Sequence, residues 1–449
     1  MMMGGLKGNN RQASRFSFVR HHYDAATGEL TLSYDVDGRM LTEVITFPWA
    51  PWSPDASRQA AFFQALELLH LIAGISYYKA GLAPSIDAPA CQVDEYLADF
   101  LDELYLQGLG EFAYVNELDI STLIRFTANT GNESVAMDLD LPERALVAMG
   151  GGKDSLVCLE MLRSAGIEVQ PVCVGGSALI GDTAKAAGLP LIRIQRKLSP
   201  LLTDMNAAGA FNGHVPVTAI NSAILLCAGL LYGYRYVVFA NESSANEPTL
   251  TDAGGKEVNH QYSKSFAFEK AFRGLIHKRV SGNVEYFSLL RPFGEVAITR
   301  QFADLTKYHE VFSSCNRNFH QDGSRIAGRW CQDCPKCRFA ALALAPFLSP
   351  EQLIAIQGVD LLDQPDQLKG FKELCGLGED KPFECVGSIA ESRAVVKFLA
   401  VQSDWQDKCV LRALAGCVEI SQAGPLELKP DAHADHCIPS SILAKINAF

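Results

Sequence analysis

The segment ALVAMGGGKDSLVCLEML, residues 145–162, decides the fold class of this chain. Its first five residues are apolar, as in a buried strand, and residues 156–162 have the apolar spacing of a helix. Gly150, Gly151 and Gly152 form the turn between them. Because glycine has no side chain, the backbone N–H groups of such a turn can approach an anion closely, and the helix N-terminus adds unpaired donors. The segment therefore predicts a strand, a phosphate-binding turn and a helix.

Three polar side chains follow the glycines and suit a bound nucleotide. We expect Lys153 to supply a cation for phosphate, Asp154 a carboxylate for Mg²⁺, and Ser155 a hydroxyl at the start of the helix. The Walker A pattern does not fit, because Asp154 follows the lysine and the first glycine of that motif is missing. The alternative is an ordinary glycine turn between a strand and a helix.

Composition excludes several classes of protein. The chain has 449 residues, 48% of them hydrophobic and 20% charged, which is enough for two or three well-cored domains. Its formal charge of −12 argues against nucleic-acid binding, which needs a basic surface. The N-terminal residues lack the long apolar core of a secretory signal, and the apolar stretch 219–234 is too short and too interrupted to span a membrane. We therefore expect a cytoplasmic protein with no nucleic-acid or membrane partner, and the oligomeric state stays open.

The chain divides into three predicted regions. Residues 16–47 alternate apolar and polar, with turn signals at 26–28 and 37–38, and helical periodicity follows at 59–79 and 93–109. We expect an N-terminal α+β domain over residues 1–140. Strand-like runs at 145–149, 169–174, 191–194 and 236–240 then alternate with helices, which predicts an α/β domain with a doubly wound parallel sheet over residues 141–345. Residues 346–449 predict a mostly helical C-terminal region.

Polar segments follow three of the predicted parallel strands. In a doubly wound sheet, ligands bind beyond the carboxyl ends of the strands. Segments 150–155, 175–177 and 241–246 occupy those positions, and Asn241 and Glu242 open the third one. We expect both to lie beside the nucleotide. A surface loop with a helix cap is the alternative for this third segment.

A cluster of cysteines lies late in the chain. Cys331, Cys334 and Cys337 have two consecutive C-x-x-C spacings, and Cys315 precedes them. Four thiolates can close a tetrahedral Zn²⁺ site, which is our first interpretation. Four reduced thiols without a metal are the second possibility, and an iron–sulfur cluster, which accepts the same ligands, is the third. Spacing alone does not select among them.

A polar segment, NHQYSKS at residues 259–265, precedes a predicted helix over 266–279. His260, Tyr262 and Lys264 can each move protons when they face a substrate, and each is otherwise an ordinary surface residue. Between residues 264 and 338, thirteen Lys and Arg outnumber seven Asp and Glu. This local excess of positive charge suits an anionic ligand, and solvated charges on helices are the alternative.

The glycine-rich loop resembles the pyrophosphate loop, S-G-G-x-D-S, of ATP pyrophosphatases. Those enzymes cleave ATP between the α- and β-phosphates and adenylate a substrate oxygen. Gly150 stands where that family has serine, so one hydroxyl donor is missing. The cysteine cluster is similar to one that binds zinc in the ATP pyrophosphatases that make deazaguanine nitriles.

Five features together resemble the ATP-dependent UDP-N-acetylmuramoyl-L-alanyl-L-glutamate epimerases over most of the chain. They are the N-terminal meander, GISYYK at 74–79, the loop at 150–155, ANES at 240–243 and WCQDCPKC at 330–337. The resemblance implies a fold of the ATP pyrophosphatase type, and an isomerase that inverts the L-glutamate of a UDP-linked muramoyl dipeptide in peptidoglycan synthesis.

The resemblance also implies the chemistry. ATP and Mg²⁺ would activate the glutamate as an acyl-adenylate, AMP and pyrophosphate would be released, and His260, Tyr262 and Lys264 would be the acid–base candidates. The positive region at 264–338 would meet the UDP diphosphate. The alternatives are a nucleobase- or tRNA-modifying ATP pyrophosphatase, an amide synthetase on the same fold, and a nucleotide-binding protein without catalytic activity.

Overall fold

The computed structural model of the chain describes residues 12–49, 52, 54–130, 134–247, 250–251, 257–318, 326, 328–378, 382, 384, 386–418, 426 and 428–446.

The N-terminal part contains the antiparallel meander that the alternating sequence predicts. The pairings of β1 with β2 and of β2 with β3 are both antiparallel. The elements of this part are β1 Arg15–Asp24, β2 Glu29–Val36, β3 Arg39–Thr46, α1 Ala56–Ala73, α2 Ile75–Gly81, β4 Ser85–Asp87, α3 Glu95–Gly108 and α4 Gly110–Val115. The helix predicted over residues 59–79 is divided at Gly74. A Cβ atom there would lie 2.3 Å from the Phe18 ring, so the close approach of β1 requires glycine.

The central part alternates strands and helices, as its sequence pattern predicts. Its elements are β5 Arg144–Ala148, α5 Lys153–Ser164, β6 Glu168–Val174, α6 Ala178–Ala186, β7 Ile192–Lys197, α7 Pro200–Ala207, α8 Val217–Tyr232, β8 Tyr236–Phe239, β9 Leu250–Thr251, β10 Glu257–Val258, α9 Phe266–Arg279, β11 Glu285–Ser288 and α10 Glu295–Ala303. Strands β5 to β8 correspond to the four predicted parallel strands. Strand β11 is a fifth parallel strand that the sequence analysis does not include.

One nine-stranded sheet joins these two parts, in the order β11-β8-β5-β6-β7-β3-β2-β1-β4. The five strands from β11 to β7 are parallel. Strand β3 then pairs antiparallel with β7, where Val44 lies opposite Lys197 and Thr46 opposite Gln195. The meander thus extends the parallel sheet at its edge. The domain limits at residues 140 and 345 stay a prediction.

Helices cover both faces of the sheet. On one face α1, α8 and α9 share a hydrophobic core with Leu146 of β5. On the other face α5 and α10 share a core with Ala145 and Val147 of the same strand. Because alternate residues of a strand point to opposite faces, β5 is buried on both sides. The architecture is mixed α/β with a large, mostly parallel sheet.

The C-terminal part is mostly helical and packs on the hydrophobic core that α5 and α10 share. Its helices are α11 Pro335–Leu344, α12 Pro350–Gln357, α13 Leu368–Leu374, α14 Ile389–Leu399, α15 Cys409–Ala415 and α16 Ser440–Ile446. Helix α14 begins with a capping box in which Ser388 and Glu391 exchange hydrogen bonds with each other's backbone N–H groups. This arrangement fixes the start of α14 and the position of its acidic side chain.

A long apolar helical stretch and several cysteines are buried in the interior of the protein. The stretch Ala56–Gly81 is long and apolar enough to cross a membrane, but 78% of its apolar window is buried inside the protein, as in the core helix of a soluble protein. Every cysteine that the structure describes is a free thiol. Cys158, Cys173 and Cys227 are buried core residues, as their apolar sequence surroundings predict.

Candidate active site

A cavity of about 750 Å³ lies at the carboxyl ends of the parallel strands. The ends of β5, β6 and β8 all contribute to its wall. Each of the three polar segments that follow these strands also reaches it, through Gly150, Gly152, Asp154 and Ser155, through Gly176 and Ser177, and through Asn241. The structure thus brings together segments that are far apart in the sequence, at the edge where ligands of parallel sheets bind.

The glycine turn lines the cavity between the end of β5 and the N-terminus of α5. Gly151 has a φ of +80°, a conformation that favours glycine. A Cβ atom on Gly152 would lie 3.2 Å from Ser314 Oγ, whereas one on Gly150 would have nothing within 4 Å. The serine that the resembling family has at position 150 would therefore fit, whereas a side chain at position 152 would crowd Ser314. Backbone donors at the start of α5 make this end of the cavity suited to an anion.

Lys153 lies beneath the loop and not in the cavity wall. Its side chain is 6% exposed and forms ion pairs with Asp154 and Glu295. Burial opposes its charge, but the two carboxylates outweigh burial and raise the pKa of Lys153 above its ordinary value. Glu295 starts α10, which packs on α5, and a buried carboxylate there needs an opposite charge. The expectation that Lys153 contacts phosphate therefore differs from its position in this structure.

Further carboxylates surround this ion pair. Burial raises the pKa of Glu242 to about 7, and neighbouring Glu391 and Asp154 add to the rise. Burial likewise raises the pKa of Glu295, against the opposing effect of Lys153. Since one buried ammonium faces several carboxylates, we expect the group to hold a proton near neutral pH.

Glu242 and Glu391 are held by backbone N–H groups. Glu242 is 8% exposed and accepts hydrogen bonds from the Ser244 backbone N–H and, at 2.7 Å, from its hydroxyl. Glu391 Oε1 accepts a hydrogen bond of 3.2 Å from the Val296 N–H at the start of α10. The sequence predicts Glu242 beside the nucleotide, but the structure buries it behind the cavity wall, and only its neighbour Asn241 lines the cavity.

Two lysines reach the cavity instead of Lys153. Lys264 comes from the polar segment before α9, and Lys336 comes from the C-P-K-C turn of the cysteine cluster. Sequence reasoning missed Lys336, because its motif indicates metal ligands first. It also missed a segment that lies beside the glycine turn, where the Ser313 N–H donates to the Gly151 oxygen at 3.1 Å. The cavity-lining residues of this segment are Ser313, Ser314, Asn316 and Asn318. No periodicity or motif in that segment indicates a site.

The three acid–base candidates occupy different positions. Of these, Lys264 lines the cavity. Burial raises the pKa of Tyr262, whose ring packs 6.4 Å from that of Phe268 and borders a separate, smaller cavity. His260 lies close enough to His214 to affect it. Burial lowers the pKa of His214 to about 4, and His260 and Lys264 add to the lowering.

Buried ion pairs neutralise part of the positive region. Arg291 and Glu269 are both 1% exposed and contact each other at 2.8 Å, and Arg279 pairs with Asp94. These arginines connect elements of the interior. Within the part of the region that the structure describes, Lys264 and Lys336 are the two cations that line the cavity.

The four predicted cysteine ligands converge at one point. Their Sγ atoms all lie within 4.8 Å of one another. The Sγ of Cys334 is 3.5 Å from that of Cys337 and 4.0 Å from that of Cys315, and Cys331 is 3.8 Å from Cys337. A tetrahedral ion with Zn–S bonds of about 2.3 Å places its sulfurs about 3.8 Å apart. The thiol geometry fits a four-coordinate metal, and the identity of the metal stays open.

Comparison with protein families identifies the chain. The model of the MurL N-terminal domain matches residues 7–289, and that of the MurL C-terminal domain matches residues 311–426. The chain belongs to the MurL family. A relative from Xanthomonas oryzae pv. oryzae, named UDP-N-acetyl-alpha-D-muramoyl-L-alanyl-L-glutamate epimerase, is 44% identical over 445 residues, which are 98% of each chain. Proteins of the same name from Salinispora tropica and a Micromonospora species are each 41% identical and cover 91% of this chain and 90% and 92% of their own.

The cavity draws on both matched regions of the MurL family. The glycine turn, Asn241 and Lys264 lie within the N-terminal match, and the 313–318 segment and Lys336 lie within the C-terminal match. The cysteine cluster connects these last two elements, since Cys315 belongs to the first and Cys337 follows Lys336 by one residue. Completion of the cavity therefore requires both parts of the chain.

Proposed function

We propose that this protein converts the L-glutamate of UDP-N-acetylmuramoyl-L-alanyl-L-glutamate to D-glutamate during peptidoglycan precursor synthesis in the cytoplasm. The near full-length similarity to proteins named as epimerases of this substrate carries the proposal. We further propose an ATP-dependent reaction on an ATP pyrophosphatase core, with an acyl-adenylate intermediate and release of AMP and pyrophosphate. The glycine turn at the cavity supports this second part.

The cavity suits a nucleotide triphosphate. Its volume of about 750 Å³ is in the ordinary range for a small-molecule site. The backbone N–H groups of Gly151 and Gly152 and the start of α5 would bind the phosphates. Lys336 would supply positive charge, and Asp154 would hold Mg²⁺, which prefers one or two carboxylates together with phosphate oxygens.

Adenylation makes the inversion chemically accessible. The glutamate α-carboxylate attacks the α-phosphorus of ATP, the bond to the β-phosphate oxygen breaks, and pyrophosphate leaves. The resulting mixed anhydride no longer carries the negative charge that would oppose removal of the α-proton, so the electron pair can move onto the carbonyl oxygen. A proton returns on the other face. Water then cleaves the anhydride and releases AMP and the D-glutamyl product.

Lys264 is the favoured base among the three candidates. It lines the cavity together with the glycine turn, so it can meet a substrate whose carboxylate lies near the phosphates. His260 is near Lys264 through their shared neighbour His214 and is the second choice. Tyr262 packs on the aromatic core away from this cavity and is the third.

The cysteine cluster would hold a structural Zn²⁺. Cys315, Cys331, Cys334 and Cys337 would be its four ligands, and four thiolates leave no open position for chemistry. The ion would join the 313–318 segment to the start of α11. We propose that it positions Lys336 and Ser314 in the cavity wall.

One assay tests the function and its alternatives. Purified protein is incubated with ATP, Mg²⁺ and UDP-N-acetylmuramoyl-L-alanyl-L-glutamate, and pyrophosphate, AMP and D-glutamate are measured. We expect all three products only when the dipeptide precursor is present. Pyrophosphate release that requires ammonia or tRNA instead would favour an amide synthetase or a modifying enzyme. Binding of ATP without pyrophosphate release under any of these conditions would favour a non-catalytic protein.

A further inference from the structure

Two histidines and a cysteine form a cluster in the N-terminal part of the protein, beside the hydrophobic core that α1, α8 and α9 share. The Sγ atom of Cys91 and one ring nitrogen from each of His21 and His70 all lie within 4.8 Å of one another. Cys91 and His70 are buried and His21 is half-buried. None of the three lines the cavity at the strand ends, and the proposed reaction does not use them.

His70 is oriented as a metal ligand would be. Its Nε2 lies 3.2 Å from the backbone oxygen of Ser33 on β2. Because a carbonyl only accepts hydrogen bonds, Nε2 carries the proton and Nδ1 keeps its lone pair. That Nδ1 lies 3.6 Å from Cys91 Sγ. Metal-binding histidines commonly donate their second ring N–H to a backbone carbonyl, which fixes the tautomer and the ring direction.

A β-bulge turns His21 toward this cluster. Along β1, Phe18 pairs with Tyr34 but Arg20 pairs with Ser33, so Val19 is an extra residue. The bulge reverses the alternation of the strand, and His21 then lies opposite the buried Leu32. Without the extra residue, Arg20 would occupy that inward position. Bulges often re-aim a side chain at a functional position.

The ring of His21 is incompletely satisfied. Its Nδ1 atom is buried and has no hydrogen-bond partner within the described parts of the chain. A buried polar atom without a partner destabilises the folded state. A metal ion bound to Nδ1 would remove that cost.

The backbone around Cys91 is held on several sides. Asn129 Nδ2 donates to the Cys91 oxygen at 2.9 Å, and the Gln92 N–H donates to Glu67 Oε2 at 3.2 Å. Arg279 Nη2 donates to the Gln92 oxygen at 2.8 Å. The thiol is therefore positioned before any ligand arrives, which lowers the entropy cost of binding.

We propose that His21, His70 and Cys91 bind a Zn²⁺ ion at a site separate from the four-cysteine cluster. With Zn–S and Zn–N bonds of about 2.3 and 2.0 Å, a tetrahedral ion requires a sulfur–nitrogen separation of about 3.5 Å, close to the 3.6 Å between Cys91 Sγ and His70 Nδ1. A thiolate and two imidazoles favour zinc over Mg²⁺ or Ca²⁺, which prefer oxygen ligands. Binding releases the Cys91 proton to solvent and leaves a fourth position for water. The ion would connect β1, α1 and the loop before α3.

Two neighbouring histidines provide the test. His21→Gln removes a ligand, and His22→Gln changes the next residue of β1, which is exposed. Full-length protein of each variant is freed of metal with a chelator, given Zn²⁺ alone, desalted and analysed for zinc. We expect His21→Gln to hold one zinc per chain fewer than His22→Gln. Because both variants keep all four cluster cysteines, the difference is independent of whether that cluster binds zinc and of the proposed reaction. Equal zinc content would overturn the proposal.

Three further measurements keep the test decisive when a variant loses its fold. Circular dichroism of each metal-loaded variant reports folding, and Cys91→Ala should lose the same zinc equivalent as His21→Gln. In the wild-type protein loaded with Co²⁺, histidines that ligate the ion should have ring N–H proton signals far outside the normal NMR range. A four-cysteine site has no such protons. Absence of shifted histidine signals in the folded wild-type protein, or their persistence in folded His21→Gln, would refute the site.

Discussion

Replacement of Lys153 by methionine should destabilise the fold as well as change activity. Methionine keeps the length and apolar stem of lysine but removes the ammonium group that contacts Asp154 and Glu295. The side chains of Lys153 and Glu295 are 6% and 8% exposed, so solvent cannot replace the lost charge. Removing one partner of a buried ion pair typically costs about 3–5 kcal/mol.

Protonation limits this cost. The limit applies to a wild-type protein in which the shared proton of the carboxylate group lies on Glu242, whose pKa is raised to about 7, and Glu295 is ionised beside Lys153. Without Lys153, the carboxyl of Glu295 takes up a proton in the folded protein, and its pKa lies above that of the unfolded chain. Protonating a carboxyl with an unfolded pKa of about 4.3 costs about 3.7 kcal/mol at pH 7. A carboxyl whose pKa is higher in the folded than in the unfolded protein destabilises the fold at any pH above the unfolded-state pKa. This destabilisation decreases as the pH falls toward the unfolded-state pKa. The loss from Lys153→Met should therefore be about 3–4 kcal/mol at pH 7 and about 1 kcal/mol at pH 5.

Urea unfolding at both pH values measures these losses. Glu295→Gln and the double variant complete a double-mutant cycle, and we expect a coupling energy of about 2–3 kcal/mol because the double variant has neither charge. Two results would refute the buried ion pair: a free energy of unfolding for Lys153→Met within about 1 kcal/mol of the wild-type value at pH 7, or a loss of stability that grows as the pH falls. Either result would return Lys153 to the role of a phosphate ligand.

Three further predictions concern the proposed reaction. Asp154→Asn and Lys336→Met should each lower AMP formation by about 10- to 1000-fold, because both side chains line the cavity. Lys336→Met should also keep the urea midpoint of the wild type, and normal AMP release in both variants would contradict the assignment of the nucleotide site. Substitution of Lys264 should separate the half-reactions, since Lys264→Ala should lose about 100- to 10,000-fold in deuterium uptake at the α-carbon while AMP release continues. The control Tyr262→Phe should keep both activities. Deuterium uptake at the wild-type rate in Lys264→Ala would place the base elsewhere. Elemental analysis should find zinc that Cys331→Ser loses, whereas iron with a visible charge-transfer band would indicate an iron–sulfur cluster.

Local sequence patterns were sufficient for most of the elements. The alternation of the meander and the apolar runs of β5 to β8 each extend over fewer than about ten residues, where strand periodicity is expressed directly. The glycine turn and the start of α5 follow from backbone freedom and helix termini. The convergence of the segments after β5, β6 and β8 also follows, because parallel strands end at one edge.

Only the tertiary structure decided which charged groups face the cavity. Lys153 turns away from it because Glu295, 142 residues later, is buried beside the start of α5. Lys336 enters the cavity because four cysteines converge next to it. Glu391 joins the carboxylates because it accepts a hydrogen bond from the Val296 N–H at the start of α10. Burial and electrostatic pairing depend on neighbours that are distant in sequence. The sequence alone therefore determined the elements, the edge of the sheet that carries the site and the candidate residues, whereas the packing of distant elements selected which candidates reach the cavity.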